Sequence, residues 1–179
     1  MSMRPLTVLV AGGGTAGHIE PALAVARTWR ANHLNDEIEF LGTKSGLENQ
    51  LVPAAGFKLS HIPKVIIPRK ASLSLFVAPT TLTQAFLESR AALRGADLLV
   101  GFGGYVSGPA FLAARSLNIP IVIHEANAKP GLANRLGSLF TNYLAVAQPV
   151  TTGKLSRALI TGLPLRADVA QALQVSSQD

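Results

Sequence analysis

Along the 179 residues, short runs of unbroken apolar character alternate with segments whose apolar positions recur at helical spacing. Residues 6–10 (LTVLV) form the kind of run that is buried on both faces of a parallel sheet. A helical pattern follows over 21–33, then a strand-like run over 37–42 (EIEFLG), a short helix over 47–55 ended by Gly56, and a third strand over 57–62. Residues 63–71 read as a loop bearing Pro, Lys and Arg, and 73–94 as a largely helical stretch in which Pro79 marks a start or a kink. The alternation then repeats, with a strand over 97–101, a helix over 108–117, a strand over 119–124, a helix over 131–140, and two short strands over 143–147 and 158–161. This order predicts an α/β fold, a Rossmann-like doubly wound parallel sheet covered by helices on both faces. The last strand leads into GLPLRADVAQAL, the start of another helix, as a linker into a second domain would. One domain over residues 1–166 is therefore expected, followed by a linker or frayed tail over 167–179.

Composition sharpens the picture by exclusion. Apolar residues make up 48% of the chain and charged residues 15%, which removes the disordered and coiled-coil classes. The absence of cysteine removes disulfides, thiolate metal sites and thiol nucleophiles. The four histidines, His18, His33, His61 and His124, do not show metal-ligand spacing. The N-terminal apolar run turns into glycines too soon for a signal peptide. The best candidate for a membrane span, residues 71–87, contains Pro79 and many hydroxyl side chains and falls short of the roughly 20 apolar residues needed. A cytoplasmic protein is expected.

The net charge of +6 is unevenly placed: residues 49–96 carry Lys58, Lys64, Arg69, Lys70, Arg90 and Arg94 against Glu88 alone. Such a segment suits nucleic acid, an anionic membrane or a phosphorylated ligand. Only 6% of residues are aromatic and no nucleic-acid-binding motif is present, so nucleic acid is set aside.

Three segments at strand ends carry the candidate chemistry. Residues 11–18 (AGGGTAGH) follow the first strand and open the first helix. Glycines there let backbone N–H groups approach a phosphate, and a helix N-terminus adds positive potential. Gly12, Gly14 and Gly17 fit the dinucleotide fingerprint, but the ribose-binding acid is missing from the end of the second strand, which reads Gly42-Thr43-Lys44. A Walker A loop fails because His18 and Ile19 stand where Lys and Ser or Thr are required. A glycosyltransferase glycine loop and a ligand-free tight turn stay open. Residues 101–109 (GFGGYVSGP) form a second glycine loop after the fourth strand, and His124-Glu125-Ala126-Asn127 follow the fifth. All three face the crevice where open α/β sheets bind ligands. A non-catalytic nucleotide- or pyrophosphate-binding module is the alternative to an enzyme, and Lys44 keeps a weak NADP-linked reading.

Residues 12–26 (GGGTAGHIEPALAVA), 101–114 (GFGGYVSGPAFLAA), 119–135 (IPIVIHEANAKPGLANR) and 161–166 (TGLPLR) together resemble the N-terminal domain of the MurG family. The four motifs come in order and cover nearly the whole chain. The resemblance implies the N-terminal half of a GT-B glycosyltransferase. Such an enzyme transfers GlcNAc from UDP-GlcNAc to undecaprenyl-pyrophosphoryl-MurNAc-pentapeptide with inversion, using no metal or other cofactor. It implies a peripheral protein on the cytoplasmic face of the bacterial plasma membrane. It further implies that the donor-binding C-terminal domain is not in this chain, which would be inactive without it.

Carried over by position, His18 matches the family's proposed general base, and Glu125 is the rival base. Thr15, Ala16, Gly17, Asn127 and Arg166 match donor-contacting positions. Gly13 and Gly14, with Gly103, Gly104, Tyr105 and Ser107 of the second loop, match the segments thought to hold the acceptor pyrophosphate. Arg69, Lys70, Leu73, Leu75 and Phe76 make a basic, apolar patch suited to an anionic inner-membrane surface. Ala16, Ala126 and Leu163 depart from the family's common glycine, glutamine and asparagine.

Overall fold

The computed structural model describes residues 4–65 and 74–165, with backbone only for 74–79. Arg69, Lys70, Leu73 and Arg166, and the side chains of Leu75 and Phe76, lie outside the described residues.

Seven strands form one all-parallel sheet: β1 (Thr7–Gly12), β2 (Glu37–Gly42), β3 (Lys58–His61), β4 (Leu98–Gly103), β5 (Ile121–Glu125), β6 (Tyr143–Val146) and β7 (Leu159–Ile160). Their order is β3-β2-β1-β4-β5-β6-β7. The chain winds outward from β1 in one direction, then returns to pair β4 with β1 and winds outward in the other. The carboxyl ends of β1 and β4 therefore flank the point of reversal, where loops diverge and leave a crevice.

Burial on both faces explains the continuous apolar runs. Val8, Val10, Phe40 and Phe102 pack against α1 (Ala16–Asn32), through Ile19 and Leu23, and against α2 (Glu48–Ala54), through Val52. Leu9, Leu41, Leu99 and Ile123 pack on the opposite face with Ala85 of α3 (Ser74–Ala92), and with Val106 and Phe111 around α4 (Ser107–Ser116). Helix α5 (Leu132–Gly137) covers β4 and β5 on that side. The rings of Phe40, Phe102 and Phe111 are fully buried, each removing apolar area worth about 2–3 kcal/mol from water.

Element boundaries move in informative ways. Helix α1 starts at Ala16, five residues before Pro21, because the glycine loop turns straight into it. Pro21 sits in the second turn and forfeits a single i→i−4 bond. Pro79 lies inside α3. Strand β4 runs on through Gly103, because a register shift after Ala11 pairs Gly12 with Gly103. β5 begins two residues later than expected and continues through Glu125, which pairs with Val146. A 3-10 turn over Lys154–Arg157, which no periodicity announced, precedes β7.

Carboxylates fasten the lower edge of the sheet. Asp36 accepts hydrogen bonds from the Leu6 N–H (2.9 Å) and the Trp29 indole N–H (2.8 Å), and these hold its carboxyl below the ordinary range. Asp97 pairs with the Arg4 guanidinium and accepts the Thr7 N–H (2.9 Å), and it too is held low, first by the Arg4 hydrogen bond. Since folding lowers both pKa values, the stability they contribute is complete above the unfolded values near about 4 and is lost as pH falls through the folded ones. Urea unfolding should therefore show a midpoint that is level from neutral pH down to about pH 5 and falls below it. Asp36→Asn should be less stable than the native chain at pH 7, with the gap closing toward about pH 2. A gap of equal size at both pH values would refute the assignment.

Candidate functional site

The site is built where the ends of β1, β4 and β5 meet. The two glycine loops touch backbone to backbone. Gly104 has φ +84°, and a Cβ there would overlap the carbonyl of Gly13, so only glycine fits. Ser107 is fully buried beneath this contact. Its hydroxyl accepts the Gly103 N–H (3.1 Å) and lies within donating distance of the carbonyls of Gly103 (2.8 Å) and Ala11 (3.0 Å), so it stitches β4 to β1. Its side chain thus faces the sheet, while Gly104 and Tyr105 of the same loop are half-buried at the crevice.

Thr15 is the N-cap of α1 but does not cap it with its side chain. Instead its Oγ1 lies 3.1 Å from His18 Nδ1. The half-buried His18 ring reaches across to the end of β4: a Cβ on Gly103 would stand 3.1 Å from Cδ2 and 3.2 Å from Nε2. It would also stand 3.3 Å from the Asn134 Nδ2 of α5, so His18, Gly103 and Asn134 converge on one spot. Ala16 and Gly17 are exposed at the first turn of the helix.

The Tyr105 ring lies over Gly14, where a Cβ would overlap it, and the Lys64 Nζ sits 4.6 Å from the ring centroid. Beneath the same loop lies Glu48, fully buried. It accepts the N–H of Gly14 (3.1 Å), the N–H of Thr43 (2.9 Å) and the Thr43 hydroxyl (3.0 Å). Burial acts to raise its pKa, but the N–H groups of Glu48 itself, Gly14 and Thr43, with the Thr43 hydroxyl, outweigh it and hold the carboxyl below its ordinary range. A cavity of about 270 Å³ lies beside Thr43, lined among others by Lys44, His61 and Lys64.

Glu125 is 1% exposed and saturated. One oxygen accepts the backbone N–H and side-chain N–H of Asn127, each at 2.9 Å, and the other accepts the Gly131 N–H and the Asn134 Nδ2–H, each at 3.0 Å. These bonds shape the loop from β5 to α5 and set Asn127 exposed at its rim. His124 points to the other face of β5, with its ring 5.7 Å from Phe102 and Nε2 3.0 Å from the Gly162 carbonyl.

Of the residues singled out in the sequence, Thr15, His18, Gly103, Gly104 and Tyr105 come together at the crevice. Glu125 and Ser107 lie just inside it as ties. Glu48 and Asn134 belong to the same assembly but were not singled out in the sequence, and Lys64 was named there only as part of the basic segment. The nearest signal for Glu48 was a lone acid flanked by Gly42 and Gly46, which reads as a solvated first-turn acid of a short helix. No helix among the described residues is long and apolar enough to cross a membrane.

Residues 8–146 match the family described as the glycosyltransferase family 28 N-terminal domain. The UDP-N-acetylglucosamine--N-acetylmuramyl-(pentapeptide) pyrophosphoryl-undecaprenol N-acetylglucosamine transferase of Frankia casuarinae is 50% identical over 165 residues, which are 91% of this chain and 43% of that protein. The protein of the same name from Corynebacterium jeikeium is 51% identical over 171 residues, 94% of this chain and 45% of that one. The crystal structure of Acinetobacter baumannii MurG matches with a TM-score of 0.71 at 31% identity, over 87% of this chain and 45% of that chain. The chain thus spans less than half the length of these relatives, and its resemblance to the MurG family is borne out by them. By the match over residues 8–146, on a sheet of the expected topology, this chain belongs to glycosyltransferase family 28 and carries that family's N-terminal domain.

Proposed function

We propose that this chain is the acceptor-binding half of an inverting glycosyltransferase. The enzyme moves GlcNAc from UDP-GlcNAc to the 4-hydroxyl of MurNAc in undecaprenyl-pyrophosphoryl-MurNAc-pentapeptide, turning lipid I into lipid II. The observation that carries the reading is the convergence of His18, Gly103 at the start of the second glycine loop and Asn134 on one crevice, in a chain about half identical to transferases of that name.

In this reading the acceptor 4-hydroxyl oxygen attacks the anomeric carbon, the bond from that carbon to the UDP phosphate oxygen breaks, and UDP leaves with the electron pair. His18 Nε2 takes the hydroxyl proton. For that, Nδ1 must carry the ring's own proton toward Thr15 Oγ1, an arrangement the 3.1 Å separation permits. The second loop, Gly103 to Ser107, cradles the acceptor pyrophosphate at the N-terminus of α4. Thr15, Ala16, Gly17 and Asn127 face the donor, joined by Arg166. Glu125, with every oxygen lone pair engaged and no exposure, holds Asn127 and Asn134 in place and leaves proton transfer to His18. The remaining contacts to UDP-GlcNAc are made by a second, donor-binding domain. The patch of Arg69, Lys70, Leu73, Leu75 and Phe76 rests on the anionic cytoplasmic face of the plasma membrane and brings the crevice to its lipid-linked acceptor.

The direct test is transfer of labelled GlcNAc from UDP-GlcNAc to a soluble lipid I analogue by the complete two-domain enzyme. In that enzyme His18→Ala should lower kcat by about 10²–10⁴-fold with little change in KM. Glu125→Gln places an amide among four donors and should lower stability by roughly 1–3 kcal/mol. Normal turnover in His18→Ala beside a pH-dependent loss of kcat in a folded Glu125→Gln would move the base to Glu125.

Membrane docking is read by co-sedimentation with phosphatidylglycerol vesicles. Arg69→Glu/Lys70→Glu should weaken binding at least roughly tenfold. Equal sedimentation of both proteins would remove the patch from the mechanism.

A further inference from the structure

We propose that Glu48 is the built-in anion of the first glycine loop: it fills the loop from below, keeps phosphate groups out of it, and positions Thr15 and His18. The inference rests on the reading of the crevice as a pyrophosphate site, and it divides that site between two loops that look alike in sequence.

Glycine-rich turns after a β-strand bind phosphate because their N–H groups point into a shared hollow. In the first loop one of those donors, the N–H of Gly14, is already taken by the protein itself. The Gly14 N–H, freed by a φ of +91° that glycine alone adopts easily, donates to Glu48 Oε2. The other oxygen is held by the N–H and hydroxyl of Thr43, so the carboxylate cannot swing away without leaving two buried donors unpaired. The surrounding chain is cut to fit it. A Cβ on Gly13 would stand 3.0 Å from Oε1, and one on Gly42 or Gly46 would collide with the Glu48 side chain. Three glycines from two segments thus make room for one carboxylate. Its retained negative charge lies directly under the loop, and at that range a second anion would be repelled rather than bound.

From above, the Tyr105 ring covers Gly14, and the second loop rests on Gly13 through Gly104. Gly14 is clamped between carboxylate and ring, and the residue after it is Thr15, whose hydroxyl meets His18 Nδ1. Glu48 therefore acts through the loop as a positioning residue. The loop's crevice face is left for uncharged hydroxyls of a sugar, and the pyrophosphate goes to the second loop and the N-terminus of α4.

The probe is inorganic pyrophosphate, titrated into this chain and into Glu48→Gln and Glu48→Asp. Loss of the charge in Glu48→Gln should tighten pyrophosphate binding by roughly tenfold or more, a direction opposite to general damage, which weakens binding. Amide signals of the first loop should then shift on titration. Glu48→Asp keeps the charge and should bind no more tightly than the native chain. Weaker or unchanged binding in folded Glu48→Gln would overturn the proposal.

Hydrogen exchange on the native chain supplies a reading that needs neither a folded variant nor turnover. The Gly14 amide should be protected and unmoved by pyrophosphate, while the amides of Gly104 and Tyr105 respond. A Gly14 amide that exchanges as fast as that of Gly17, or that shifts with the second loop, would also overturn it. Should pyrophosphate move no amide at all while Gly14 stays protected, the pyrophosphate reading of the crevice falls and the hold of Glu48 on the loop stands.

Discussion

The site depends on the direct contact of two backbones, Gly104 lying against the carbonyl of Gly13 where no side chain would fit. This contact can form only because β1 and β4 are neighbours at the reversal of strand order and because the register shift after Ala11 brings Gly12 opposite Gly103. A larger residue at Gly104 would wedge the loops apart and separate His18 from the end of β4. The apolar cores on the two faces of the sheet hold the strands, and the strands hold the loops at a spacing that van der Waals contact sets.

Around that contact the protein uses one device repeatedly: a carboxylate placed where several N–H groups point. Asp36 and Asp97 do so at the amino end of the sheet, Glu48 and Glu125 at the carboxyl end. Asp36, Asp97 and Glu48 tie segments that are distant in sequence, Glu125 ties the turns of one loop to the helix that follows, and each satisfies donors that would otherwise lack partners. The two at the carboxyl end also decide what the crevice presents. Glu125 turns the loop after β5 so that Asn127 is at the rim, and Glu48 fixes the turn before His18.

Most of the fold could be read in the sequence because its central strands β1, β4 and β5 are buried on both faces and so remain largely apolar, while the turns at their ends are marked by glycine. All seven strands lie where those runs lie. The boundaries that moved did so for reasons of pairing: β4 and β5 reach Gly103 and Glu125 because their neighbours still offer ladder partners there. His18 and the second loop could be read because they adjoin strand ends. Glu48 could not, because the loop it holds, at Gly14, lies 34 residues away along the chain, and nothing local distinguishes it from a solvated acid. Asn134 was hidden for the same reason, as its burial follows from Glu125 nine residues away. Arg166 was named from resemblance and the membrane patch from its basic and apolar residues; Arg166, Arg69, Lys70, Leu73 and the side chains of Leu75 and Phe76 lie outside the described residues.

The saturation of Glu125 has a consequence for how the crevice receives a ligand. All four bonds that shape the rim loop are internal to the chain, so the loop reaches its final geometry when the protein folds. A molecule arriving at that rim meets a surface already set. Little conformational entropy is left to be lost there on binding, and encounter can lead to capture without a slow rearrangement of the loop.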